Sequence, residues 1–266
     1  MLSIKRYVRL YRVFISQFLK SLMQSKLDFW IGLLGFLLSQ TFGIVFLYLV
    51  FEQIPSLQKW TLEQLVFIYG FAQIPRGLDH LITDNIWMVG WKMVITGEFD
   101  KYMLRPMNLF FQVICEKLQP DALGELLVGV VLTVYSFQKG LISLTPGRIL
   151  LFLLSILAGS VIYTSVKLFF ASLAFWFKDS IAMLQVAYDM ANFAKYPIEI
   201  YAKPIQFVIS YMIPFAFVAY YPASYFLMAA GPWETIGMEC ILAVIAGGIA
   251  YLTFVAGTRR YESAGN

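Results

Sequence analysis

The run FWIGLLGFLLSQTFGIVFLYLVF, from Phe29 to Phe51, holds no charged residue in twenty-three positions. As a helix rising about 1.5 Å per residue it reaches roughly 34 Å, enough to cross a hydrocarbon core about 30 Å thick. A chain carrying such a run belongs in a bilayer. There, backbone groups must bond within their own segment, which favours helices. Composition agrees, with 60% apolar and 14% charged residues against soluble norms of about 45–50% and about 25%. The 266 residues leave little room for a soluble domain, so one all-α polytopic membrane domain is expected. The run is too long for a signal-peptide core and lacks a small-residue cleavage site.

Before it, residues 1–28 place Ile4, Val8, Tyr11, Ile15, Phe18 and Leu22 at helical spacing opposite Lys5, Arg9, Arg12 and Lys20. That pattern predicts an amphipathic helix lying in the membrane interface, and residues 29–266 the spanning domain. Further apolar stretches run from Leu62 to about Ile86, about Ala122 to Phe137, Ile149 to Phe177 and Thr235 to Gly257. The last carries a small-residue patch, Ala243, Ala246, Gly247, Gly248 and Ala250, that would let helices approach closely. Ser180 to Lys195 is a shorter helical pattern. Residues 198–230 are divided by Pro204, Pro214 and Pro222, which fits short helices dipping into the outer leaflet better than one span. Six transmembrane helices are the expectation.

Lys and Arg set the orientation. With six spans and the N-terminus inside, thirteen lie on the cytoplasmic face, the Arg259–Arg260 pair among them. Five lie outside: Lys59, Lys139, Arg148, Lys195 and Lys203. Both termini are therefore expected in the cytoplasm.

The chain lacks a GxxxxGK[ST] loop and a GxSxG elbow, and one histidine with two scattered cysteines gives no usual metal-ligand spacing. Cys115 and Cys240 read as packing residues. Ionisable residues inside a membrane are costly and are functional candidates by default. Arg76, His80 and Asp84 follow one another at i, i+4 and i+8, with Asp79 beside them, so the second span carries a polar wall. It would line a translocation path or form a self-neutralised structural cluster. Asp121 and Glu125 receive no role. Lys167 and Asp189 each lie roughly 15 Å from a turn at Lys178–Asp179, and matching depth predicts an ion pair between them.

Between the second and third spans, WKMVITGEFDKYMLRPMNLFFQ breaks at Gly97, then sets Glu98, Asp100, Lys101 and Arg105 among Phe99, Tyr102, Met103 and Leu104 before Pro106. This is either a short docking helix or an ordinary surface loop. GEFDKYMLRPMNLFF resembles the first cytoplasmic loop of bacterial type-2 ABC transporter permeases, in a small six-span branch. The basic N-terminal helix, the segment YPIEIYAKPIQFVISYMIPFAFVAYYPASYFL and the ending GTRRYESAGN are similar to that family too, over essentially the whole chain.

The resemblance implies the membrane subunit of an ATP-driven exporter in the bacterial inner membrane, paired with a second permease, the same or a related chain. It implies cytoplasmic ATPase subunits that carry the ATP and Mg, with no cofactor on this chain. Residues 97–112 would be the coupling helix, with Gly97, Glu98, Asp100, Lys101, Arg105 and Pro106 in the contact. The cargo would be amphipathic: a drug, peptide, lipid or glycan. Two other classes remain open. One is an ATP-independent proton-coupled transporter or channel using Arg76, Asp79 and Lys167, which inverted repeats would support. The other is a lipid-modifying membrane enzyme, for which no nucleophile with a nearby base is apparent.

Overall fold

The computed structural model describes residues 9–263, apart from 14, 18, 19, 21–25, 55, 58 and 144. Among the described residues the chain is helical, with one isolated bridge, Leu57 to Trp60, outside the helices. Of the expected interfacial helix, residues 9–13, 15–17 and 20 are helical, and the rest of its first 25 residues lies outside the described set.

The first long helix, α1, spans Lys26–Gln53 and takes in the end of that expected interfacial segment. Among the described side chains of α1, Gln40 and Leu47 alone are buried, while Trp30, Leu34, Leu38, Phe42, Phe46 and Leu49 face outward. α2, Leu62–Thr83, is the opposite case. A capping box between Thr61 and Gln64 starts it, and most of its length is buried between two neighbours. On one side lies α5, Leu123–Gln138, and on the other α6, Pro146–Ser172. Small residues set the α2–α5 distance: a Cβ on Gly70 would sit 2.6 Å from the Leu132 Cβ, and one on Gly129 3.0 Å from the Gly70 carbonyl oxygen.

Between α2 and α5 the chain forms Ile86–Met88, a π-turn at Val89–Met93, the single turn α3 (Asp100–Met103) and α4 (Leu109–Glu116). The expected helix over 97–112 is therefore two pieces. Gly97 (φ 75°) ends the first arm in a conformation that suits glycine. Pro106 lies in a bend, and α4 starts three residues later, preceded by Asn108, whose side chain caps the Phe111 amide.

After α6 the chain continues through Ala174–Phe177 and reverses at Lys178 and Asp179. α7, Ile181–Asp189, then runs into a 3₁₀ segment, Met190–Lys195. Short helices follow at Lys203–Phe207, Val208–Met212 and Phe215–Phe217, then α8, Tyr220–Met228. The arms on either side of Pro214 meet at 75°. α9, Met238–Arg260, closes the bundle along α6.

Among the described residues, four helices are long and apolar enough to cross a membrane: Phe29–Gln53, Pro120–Gln138, Pro146–Phe177 and Trp233–Arg260. The bent pair around Pro214 is a candidate fifth. α2 has the length but not the apolarity, because its charged side chains are spent on protein neighbours.

Candidate functional site

The polar residues of α2 divide between two sides of the helix. Toward α6, the Lys167 Nζ lies 2.8 Å from Asp79 Oδ2 and 3.7 Å from Asp84 Oδ1, with the Lys167 and Asp79 side chains fully buried. Asp79 Oδ1 also accepts from the hydroxyls of Thr83 (2.6 Å) and Thr164 (2.8 Å), and Oδ2 from Tyr188 (2.8 Å). One ammonium and three hydroxyls thus satisfy the carboxylate, the condition under which a buried pair is tolerated.

Toward α5 the arrangement is looser. Glu125, buried, faces Arg76 Nε at 3.6 Å and His80 Nδ1 at 3.1 Å. The Arg76 side chain is 15% exposed, and its Nη1 donates to Asn192 Oδ1 at 3.0 Å. Tyr188 separates the two systems. His80 stacks on its ring at 5.6 Å, and Arg76 and Lys167 approach the ring at 5.7 and 5.5 Å. Farther along α2, Tyr69 Oη donates to Gln40 Oε1 of α1 at 2.7 Å, Gln73 Nε2 donates to the same oxygen, and Lys195 lies over the Tyr69 ring.

The expected Lys167–Asp189 pair does not form. Lys167 reaches Asp79 instead, while Asp189 is exposed and accepts from Gln185. Depth gave the height of the two residues but not their azimuth. α7 turns Tyr188 inward and puts Gln185 and Asp189 on its outer side, with Asn192 exposed in the 3₁₀ segment that follows. The expected polar wall on one face is split: Asp79 and Asp84, the latter partly exposed, meet Lys167 on the α6 side of α2, and Arg76 and His80 meet Glu125 on its α5 side.

Glu125, given no role from sequence, is the shared partner of Arg76 and His80. Its signal was its place between Gly124 and Gly129, on a helix whose glycines mark close approach. Glu239 was also missed. It is fully buried and accepts from Ser155 Oγ, and among the described residues no cation lies within ion-pair distance.

In the loop after α2, Phe99 and Tyr102 are fully buried, and Phe99 rings against Phe175, Phe254 and Tyr261. Three of the four expected contact charges are occupied within the chain. Glu98 pairs with Lys92 at 2.7 Å, Lys101 with Glu116 at 2.6 Å, and Asp100 Oδ2 accepts from Ser263 Oγ at 2.6 Å. Lys92 holds the Glu98 carboxyl below its usual range. Burial, reinforced by Asp100, pushes the Tyr261 phenol up to about 12. Arg105 makes no side-chain ion pair or hydrogen bond among the described residues. It sits in an exposed run with Met103, Leu104 and Pro106, Leu104 being 85% exposed.

Residues 37–265 match the family described as ABC-2 family transporter protein. No curated protein and no solved structure matches the chain.

Proposed function

Starting from the chain's membership of the ABC-2 transporter family, which makes it a multi-pass ABC transporter permease, we propose that it is the spanning subunit of an ATP-driven exporter of an amphipathic substrate. Six passes are formed by α1, α2, α5, α6 with Ala174–Phe177, the Ile181–Lys195 segment, and Trp233–Arg260. The bent pair around Pro214 enters from the outer side and returns. Both termini face the cytoplasm of a bacterial inner membrane. A second permease, identical or related, completes the path, and cytoplasmic ATPase subunits carry ATP and Mg.

The observation that carries this reading is the loop between α2 and α4. Its apolar ring cluster fastens it to the bundle, Lys101–Glu116 to α4 and Asp100–Ser263 to the segment after α9, leaving Met103, Leu104, Arg105 and Pro106 as an exposed tip. A rigidly held apolar tip with one free cation suits insertion into a groove of a partner, with anchor residues at its centre. Asp100 is a poor contact residue because Ser263 occupies it, so Leu104 and Arg105 take the leading roles. Arg76, His80, Asn192 and Asp189 lie on the side that a second permease would face, where polar groups at membrane depth meet protein or water rather than lipid.

The test is Leu104→Glu with Arg105→Glu. The double variant should insert and purify normally, lose the co-purifying ATPase subunit and lose substrate-stimulated ATP hydrolysis. Unchanged coupling in a folded double variant refutes the docking role.

A further inference from the structure

A cavity of about 440 Å³ lies on the other flank of α2, between α2, α6 and α9, with α4 beneath it. Its size falls within the range of ligand pockets, about 300–1,000 Å³. Leu78 and Ile82 of α2 face Leu157 and Val161 of α6 across it, and Phe110 and Ile114 of α4 form the floor. Almost all of the wall is apolar. The polar side chains that border it are already engaged: Asp79, Thr83 and Thr164 with one another, Ser160 and Ser165 as donors to the Ile156 and Val161 carbonyls, and Tyr251 as acceptor from Asn108. Water needs two to four free polar partners to settle in a cavity, and this one offers almost none. An empty apolar space forfeits dispersion contacts all round its lining.

The cavity also communicates with the lipid-facing surface. Leu157 and Val161 line it and are themselves exposed on the outside of α6. On α9, Gly247 leaves room at its wall. A Cβ there would meet only Ser165 Oγ at 3.6 Å and Val161 Cγ1 at 3.7 Å, which is ordinary contact. The adjacent Gly248 faces open space, with nothing within 4 Å of such a Cβ.

We infer that this cavity holds one acyl chain of a resident membrane phospholipid, from the leaflet on the side of α4. The hydrocarbon completes the wall beside Asp79 and Thr164 and keeps water from the Asp79–Lys167 pair. Asn108 Nδ2 donates to Tyr251 Oη at 3.2 Å where α4 meets α9, which puts a polar rim at the level of the lipid head group. The inference requires a bilayer around the bundle and is independent of the ATPase reading.

The test uses the permease reconstituted with a phospholipid carrying a photoreactive diazirine on its acyl chain. Peptides are mapped after irradiation. Adducts should concentrate on residues 157–164 and 247–251. Gly247→Leu, which fills the cavity, should reduce that labelling at least threefold. Gly248→Leu, one position round the helix, should leave it unchanged. Should Gly247→Leu fail to accumulate, Ser160→Leu fills the same space from α6. Equal labelling in the filled variant and the wild type overturns the inference. So does labelling of exposed α1 as strong as that of the cavity.

Discussion

The two sides of α2 solve the same problem differently. Toward α6, Asp79 and Lys167 are sealed from solvent, and every oxygen of the carboxylate has partners. Toward α5, one carboxylate, Glu125, serves both Arg76 and His80, at longer range and beside an opening. Three residues along the helix separate a locked pair from an adjustable one. The sealed side behaves as structure, because an unpaired charge there has no water to turn to. The open side keeps polar groups that can exchange partners, as a surface facing a substrate path or another subunit requires.

This contrast fails most visibly if the sealed pair is cheap to break. Asp79→Ala or Lys167→Met should each destabilise the purified permease by about 3–5 kcal/mol, since a buried charge loses its partner. The double variant Asp79→Asn with Lys167→Met should recover most of that loss. Thermal unfolding in detergent, followed by size-exclusion chromatography, measures all three. A double variant no better than the singles would mean that the pair is not the unit.

Next in size is Glu125→Gln. Arg76 keeps Asn192, and the amide oxygen can still accept from Arg76 or His80, so the cost should be about 1–3 kcal/mol, below that of Asp79→Ala. A loss equal to that of Asp79→Ala, in the same assay, would erase the distinction between the sides. Smaller again is Glu239→Gln. A carboxyl with one hydroxyl partner and no nearby cation exchanges for an amide of the same shape with little change in melting temperature, whereas Glu239→Lys should prevent accumulation of folded protein.

Smallest is the exposed Lys92–Glu98 pair, where Glu98→Gln should shift the melting temperature by no more than assay error. Its pH signature has a definite sign. The folded carboxyl titrates below its usual value, so the contribution is present above the unfolded pKa and fades as pH falls through the depressed folded one. Between pH 7 and 6, melting curves of wild type and Glu98→Gln should stay parallel. Divergence in that window would place the group in a different environment.

What could be read from sequence follows one rule. Long apolar runs located α1, α5, α6 and α9, the first free of charge and the others carrying one charged residue each, because lipid contact demands apolarity along most of a helix. Depth could be counted from a turn, so Lys167 was placed at membrane level. Azimuth could not be counted: the rotation of α7 that points Tyr188 inward and Asp189 outward depends on packing against α2 and α6. Gly97 announced the break in the loop by its chemistry. The loop's internal pairings, Lys101 with Glu116 and Asp100 with Ser263, join residues 15 and 163 positions apart, which no local pattern encodes. Glu125 stayed hidden because its partners come from a helix some fifty residues earlier.

The Ser263–Asp100 bond and the Tyr261 ring against Phe99 tie the end of α9 to the loop before α4. For anyone handling this protein, that tie bears on where to attach a label. An affinity tag or fluorescent fusion joined shortly after Ser263 would load the strap that holds the exposed Met103–Pro106 turn in register, and altered behaviour of such a preparation would be an artefact of handling. A tag at the other end of the chain avoids that strap.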